Sequence, residues 1–375
     1  MGNKPAYDSK YIISHKYNKI TRKIILINLK HYKNLEIFKC CFYDLEKLPD
    51  LPNSLLKLDC SNNNLKKINN LPNSLTHLYC YINNLIELSN LPNSLTHLYC
   101  NYNNDLKKLP NLPNLLIELN CHCNNLIELP ILSNSLTHLD CSNNNLIELP
   151  DLPNSLLKLN CSYNNLIKLP NLPNLLNELF CNENKLTELL DLPNSLNDLN
   201  CSYNNLTKLP DLPNSLKYLL CNNNNLIKLP NLPDSLIILE CYKNKLIRLP
   251  NLSNSLTHLY CCYNNLIELP DLPNLLNRLR CNNNNLTELP DLPNSLIYFR
   301  SHKNKLSYPK KDIKTINETN KIYFKNKIIK RMQLLDRTLL LEHSARISLN
   351  PKRINRLLDN KEIDFFDGSF DTLTT

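Results

Sequence analysis

The chain has 375 residues, with 43 Lys/Arg against 34 Asp/Glu, and its net charge of +9 sits mainly at the two ends. Residues 1–34 hold 8 basic side chains against 1 acid and 307–375 hold 14 against 9, which leaves a nearly neutral body that is a poor match for nucleic acid along its length. Only Gly2 and Gly368 are glycines, which excludes glycine-rich phosphate loops, and no apolar run approaches the ~18 residues of a membrane span.

Residues 1–34 are basic and Tyr-rich, and their only alternating apolar stretch is Ile24–Leu29. They read as a cap segment for the solenoid that follows, since a solenoid end otherwise leaves a strand edge in water. The opening MGNKPAYDSK is too polar for a secretory signal, and Ala6 stands where a myristoylation signal needs Ser or Thr.

From residue 35 a 20-residue unit repeats. Cys40, Cys60, Cys80, Cys100, Cys121, Cys141, Cys161, Cys181, Cys201, Cys221, Cys241, Cys261 and Cys281 mark it, with Asp105 as the single extra residue. Three residues after these Cys, from Cys60 onward, stand Asn63, Asn83, Asn103, Asn124, Asn144, Asn164, Asn184, Asn204, Asn224, Asn244, Asn264 and Asn284, and Asn304 follows Ser301. The first coil is degenerate, with Leu35, Phe38, Cys40 and Leu45 in phase but Tyr43 in place of the Asn. A fixed period this short predicts a solenoid of about 14 coils over 35–306.

Within a unit, Leu55, Leu58 and Cys60 alternate as a short strand with inward side chains. The Asn series is a structural ladder, because an amide can both donate to and accept from buried backbone groups of adjoining coils. Clusters such as Asn62-Asn63-Asn64 also supply the residue type most tolerant of left-handed backbone. Pro49 and Pro52 make the return arm extended or polyproline-II, pinned to the core by Leu48, Leu51 and Leu55.

Thirteen of the 16 Cys share one repeat position, so they form a column of equivalents rather than pairs. Strands about 4.8 Å apart suit buried free thiols better than disulfides, which bring Cβ atoms to about 3.8 Å. Cys41, Cys123 and Cys262 fall one or two residues later, where the side chain should point out or lie in the turn. This usage predicts a soluble protein of a reducing, cytoplasmic compartment. Beyond 306 the period ends. Ile313, Ile316, Ile322, Ile329, Met332, Leu335 and Leu339 have helical spacing, and Asn350-Pro351 is a helix start, so 307–375 reads as a helical C-terminal cap or tail.

The unit L-x-x-L-x-C-x-x-N-x-L-x-x-L-P-x-L-P-N-S resembles the bacterial subclass of leucine-rich repeats found in secreted effectors of Yersinia, Shigella and Salmonella, with Cys where Val is common. The resemblance covers about residues 35–306. It implies an α/β-type repeat solenoid: a leucine-rich repeat horseshoe with a parallel concave sheet, a polyproline-II or extended convex side, and a helical tail. The Asn/Lys-rich composition and residues 344–367 resemble leucine-rich repeat proteins of giant amoeba viruses of the Mimivirus type, which implies a host–virus interaction in the host cytoplasm.

In such a solenoid the residues flanking the second strand Leu face outward, and they fall into zones. One is aromatic and His-rich, with His77, Tyr79, Tyr81, His97, Tyr99 and Tyr102; the middle is polar and acidic around Phe180. The last coils join Tyr218, Leu220, Ile238, Tyr242 and Tyr260 to Arg278, Arg280, Arg300 and Lys303. Aromatic and Arg side chains on a rigid face are the usual anchors of protein interfaces, although the recurring SLTHL at Ser74, Ser94, Ser135 and Ser255 also fits copying by repeat duplication. His77 and His97 lack a third metal ligand, and Cys121-x-Cys123 does not converge on one, so no metal or cofactor is expected. Shigella-type relatives carry a ubiquitin-ligase domain with a nucleophilic Cys, but no Cys follows Cys281 and a tail of about 70 residues is too small for it. The expectation is a non-enzymatic protein-binding scaffold with an unidentified protein partner. The alternative is an architectural or nucleic-acid-associated role through the basic tails, which the salt dependence of binding would distinguish.

Overall fold

A 20-residue coil holding two prolines has room for one short strand and a non-helical return arm. The computed structural model describes residues 11–13, 29, 32–88 and 90–306. Fifteen three-residue strands form one all-parallel sheet in chain order, from β1 (Tyr11–Ile13) and β2 (Ile37–Lys39) through β3 (Lys57–Asp59) to β15 (Tyr298–Arg300). Each strand meets the next at the same repeat position, as in Lys57↔His77 and His77↔His97. From β3 to β14 (Arg278–Arg280) the central Leu of each strand points inward and its two neighbours point out, and the following Cys closes the core. In the coil of Cys161, Leu156, Leu159, Cys161 and Leu166 all have 0% exposure.

This architecture corrects the α/β-type horseshoe expected from the resemblance. No α-helix occurs among the described residues, and the solenoid is all-β, because the prolines that recur in the return arms remove N–H donors a helical turn needs. The return arm is bends and extended chain closed by a β-turn over Pro-Asn-Ser-Leu, in which Leu156 N–H donates to Pro153 O at 3.0 Å. The helical tail expected over 307–375 lies outside the described residues. At the other end β1 joins β2 with Tyr11 opposite Ile37; of the apolar stretch Ile24–Leu29 only Leu29 is described.

Asparagine amides bind coil to coil. Asn164 Nδ2 donates to Cys141 O (3.0 Å) of the preceding coil and to Cys161 O (3.1 Å) and Ser162 O (3.2 Å) of its own. Its Oδ1 accepts from Leu146 N–H at 3.0 Å. The extra residue, Asp105, is absorbed in the turn without disturbing the sheet. Leu106 N–H turns to Asn103 O (2.9 Å), and Asn124 Oδ1 accepts from Asn103 N–H (2.6 Å) instead.

A second ladder runs along the return arm. Ser74 Oγ donates to Leu55 O (2.7 Å) and Asn53 O (2.6 Å), and Ser94, Ser155 and Ser195 repeat the bond to the preceding coil. Where this Ser is replaced by Leu115, Leu175 or Leu275, the Leu is exposed. Two coils have Ser133 and Ser253 in place of the second Pro, and each hydroxyl reaches back to the preceding coil, to Asn114 O and Asp234 O at 2.7 Å.

The residue before each ladder Asn is left-handed, with φ from 51° to 55° between Asn62 and Lys303. It is Asn only at Asn62, Asn143, Asn223 and Asn283; elsewhere Ile82, Tyr163, Glu183 or Lys243 adopts the same geometry. The Asn clusters are therefore not what makes the turn. Stacking holds it: Ile82 N–H donates to Asn101 O (2.9 Å) and Tyr163 N–H to Asn182 O (2.9 Å) of the next coil. Ile82 is the costliest case, being β-branched.

Three variants test these bonds and the left-handed turn. Asn164→Ala strips partners from buried backbone groups on two coils and is expected to cost roughly 1–3 kcal/mol in chemical denaturation. Asn304→Ala loses equivalent bonds to Cys281 O and Leu286 N–H but should cost less, because an end coil frays without dividing the array. Equal shifts would argue against nearest-neighbour stabilisation. Ile82→Asn relieves the left-handed strain and should stabilise the chain by about 1 kcal/mol on the same measurement.

Candidate functional site

Strand geometry sorts the candidate residues into two rows on the exposed face of the sheet, one on each side of the central Leu. On β4 (His77–Tyr79) and β5 (His97–Tyr99) the rows are matched pairs. The imidazoles of His77 and His97 stack at 4.3 Å with an interplanar angle of 6°, and the rings of Tyr79 and Tyr99 stack at 4.9 Å and 21°. Thr76 Oγ1 lies 2.9 Å from His77 Nδ1 and Thr96 Oγ1 2.8 Å from His97 Nδ1, which tethers both rings to their own strands. Partial burial, the neighbouring His97 and Lys57 together lower the pKa of His77 to about 4, so it stays neutral at ordinary pH. On the next coil, Glu118 completes the patch with Oε2 at 4.0 Å from His97 Nε2, and burial plus the hydrogen bond to Glu118 hold the Tyr99 phenol protonated. The sequence reading did not place Glu118 in the site; its register opposite His97 was the available signal.

Tyr102 does not belong to either row. It is a left-handed turn residue beyond the strand, packed edge-on against His122 at 4.8 Å. Tyr81 likewise follows Cys80 outside the strand. Phe180 stands alone in its row between Asn160 and Asn200. Beside it the acidic middle is real: Glu178 faces Asp198 in register, and burial together with Glu178 raises the Asp198 carboxyl to about 6. Lys158 Nζ sits 2.6 Å from Glu178 Oε1.

The last coils form one continuous field. Tyr218, Ile238, His258, Arg278 and Tyr298 follow one another in the first row; Leu220, Glu240, Tyr260, Arg280 and Arg300 do so in the second. The Arg280 guanidinium lies 5.8 Å from the Tyr260 ring centre and that of Arg300 lies 5.3 Å from the ring of Tyr298. Arg278 Nη1 donates to Tyr260 Oη at 3.5 Å. Tyr242 and Lys303 fall outside the rows, after the strand.

Among the described residues no three His, Cys, Asp or Glu side chains converge to hold a metal ion. All 16 cysteines are free thiols. The thirteen at the repeat position are buried, and burial raises their pKa values; Cys60, Cys141 and Cys281 direct Sγ at a carbonyl of the next coil, 3.4–3.5 Å away. Cys262, expected to point out or lie in the turn, is 2% exposed, buried like the small Ser61 and Ser142 at the same repeat position. Cys41 and Cys123 are half-buried, and burial with the neighbouring Asp59 pushes the Cys41 thiol up to about 12. A native reduced sample should therefore label first at Cys123, slowly at Cys41, and at Cys262 and the other thirteen only after denaturation. Mass mapping of the label checks this; fast native labelling of Cys161 or Cys201 would overturn the register.

No protein-family model and no curated protein matches the chain. Several solved structures do. YopM from Yersinia enterocolitica is 35% identical with a TM-score of 0.65, over 75% of this chain and 71% of that one. YopM from Yersinia pestis, described as a leucine-rich effector protein, gives 35% and 0.65 over 73% of this chain and 86% of its own. The functional domain of InlJ from Listeria monocytogenes, which includes a cysteine ladder, gives 29% and 0.60 over 73% and 64%. These three are bacterial, and none of them bears on a giant-virus source. Identity at this level over about three quarters of the sequence, to a protein described as leucine-rich, means that the chain belongs to the leucine-rich repeat family.

Proposed function

We propose that the chain is a non-enzymatic scaffold that holds a protein partner on the exposed face of its sheet. The observation that carries this reading is the matched pair of ring columns, His77 over His97 and Tyr79 over Tyr99, displayed on strands whose backbone the coils hold rigid. Rings already stacked and tethered lose little conformational freedom on binding, and Tyr is enriched among the few residues that dominate the energy of protein interfaces. The field from Tyr218 to Arg300 offers a second set of anchors, with its guanidinium groups laid over tyrosine rings.

Two considerations point to the class of partner. The Yersinia relative is described as an effector, which supports action on proteins of another cell. Residues 344–367 and the Asn/Lys-rich composition, with their resemblance to giant-virus proteins, make an amoebal protein the first partner to seek, and the buried free thiols suit a reducing host cytoplasm.

Capture from amoebal lysate with the full chain tests the proposal. Tyr79→Ala with Tyr99→Ala should remove partners held by the wild type, since a truncated anchor typically costs about 2 kcal/mol or more. The thermal melt should stay close to wild type, because both side chains are on the outer face. If this variant and Arg278→Ala with Arg280→Ala both capture the same proteins as the wild type, the sheet face is not the binding surface.

A further inference from the structure

The three arginines of the last coils occupy neighbouring points of a small grid. On β14 (Arg278–Arg280) both arginines point to the exposed face, and Arg300 of β15 stands directly opposite Arg280. Like charges in register on adjacent strands repel each other, so the arrangement is unfavourable as it stands. The tyrosines nonetheless hold it, with Tyr260 under Arg280 and bonded to Arg278, and Tyr298 under Arg300. Among the described residues no carboxylate lies within ion-pair distance of Arg280 or Arg300, although Arg280 is near enough to Glu240 to offset part of the rise that burial gives its carboxyl pKa. The Arg280 Nε–H is shielded from solvent and has no acceptor among those residues. Forked donors fixed in this way suit a tetrahedral oxyanion, whose oxygens accept paired N–H bonds.

The surroundings restrict what can carry that oxyanion. Along the same face, moving away from the arginines, come Glu240 on β12 (Ile238–Glu240), Asp198 on β10 (Asp198–Asn200) and Glu178 on β9 (Glu178–Phe180). A polynucleotide running over the strands would set its phosphates against these carboxylates. A peptide with one dianionic side chain and basic residues to one side would be matched at both ends. Glu240 lies two strands from Arg280 in the same row, about 10 Å at the usual strand spacing, and an extended segment covers that in roughly three residues.

We infer that Arg278, Arg280 and Arg300 receive a single phosphorylated side chain of a partner segment that crosses the strands, with a basic residue about three positions away paired to Glu240. This rests on the protein-binding reading and names the chemistry of one of its two anchor fields. The phosphate accepts hydrogen bonds from the paired guanidinium forks, and no covalent step is involved.

Immobilised degenerate peptide libraries tested against the full-length chain decide the question. One library carries a fixed phosphoserine with a fixed Arg three residues to either side, a second replaces phosphoserine with Ser, and a third omits the Arg. The phosphorylated library should be retained at least about tenfold better than its Ser counterpart. Arg280→Ala with Arg300→Ala should abolish that preference at an unchanged melt; Arg280→Lys with Arg300→Lys keeps the charge without the fork and should restore it only in part. Glu240→Gln should remove the advantage of the fixed Arg while leaving the preference for phosphate.

Equal retention of phosphorylated and unphosphorylated libraries overturns the inference, as does a preference that survives Arg280→Ala with Arg300→Ala. A single-stranded oligonucleotide that outcompetes the phosphopeptides, with a steep loss on added salt, would show a polyanion site instead. Loss of the phosphate preference alongside partner capture that still depends on Tyr79 and Tyr99 removes only this inference. Loss of both removes the scaffold reading as well.

Discussion

A strand of three residues satisfies few backbone groups, yet each coil must bury the chain on either side of it. The asparagine amide meets that requirement. From one side chain it donates to carbonyls of two coils and accepts from a Leu N–H of the preceding one, as Asn164 does between Cys141, Cys161 and Leu146. An aspartate at this place would lack the donors, and a leucine would leave the Leu146 N–H unpaired in the core and the Cys141 and Cys161 carbonyls with one donor fewer, since Asn144 and Asn184 still reach them. Because each amide ties its coil only to the one before, coils can be added without limit, and a misfit such as Asp105 stays local: Asn124 changes one partner and the sheet register continues.

Register carried through fifteen strands makes the outer face a direct display of the repeat alignment. A side chain duplicated in consecutive units becomes a stacked column, which is how His77 meets His97 and Tyr79 meets Tyr99. Opposite charges one unit apart become ion pairs, as for Lys158 with Glu178 at 2.6 Å, though such partly exposed pairs contribute little, about 0–1 kcal/mol. Like charges one unit apart are more informative. Burial and the facing Glu178 together raise the Asp198 carboxyl, and Arg280 faces Arg300, so like charges meet on the sheet in both signs.

The inward face follows a different constraint. Cys at the repeat position is a small apolar group whose Sγ can also approach a carbonyl of the next coil, at 3.5 Å for Cys60 and Tyr79 O. Burial keeps the thiol protonated, which makes the column chemically quiet although it holds thirteen potential nucleophiles. The left-handed turn after it shows how strongly stacking overrides local preference. Ile82 and Glu183 take a backbone conformation that neither residue favours, because the N–H of each is bonded to a carbonyl of the following coil.

Inward and outward positions were legible in the sequence because they are a matter of period. Leu156, Leu159 and Cys161 recur every 20 residues, and alternation alone assigns their side. The same periodicity, read with two prolines per unit, already argued against helix in the return arm, and the α/β label came only from the resemblance. Some features have no local signal. Ser74 looks like a turn residue until the carbonyl of Leu55 is found beneath it, Cys262 looks like an exposed turn residue until the adjoining coils close over it, and Tyr102 looks like a member of the aromatic row until the turn carries it off the sheet. Sequence by itself determined the repeat, the core positions and the residue types shown on each strand. Only the tertiary structure decided which of those side chains touch, which thiols are covered and which turn residues are left-handed, because each depends on hydrogen bonds and packing between coils 20 residues apart.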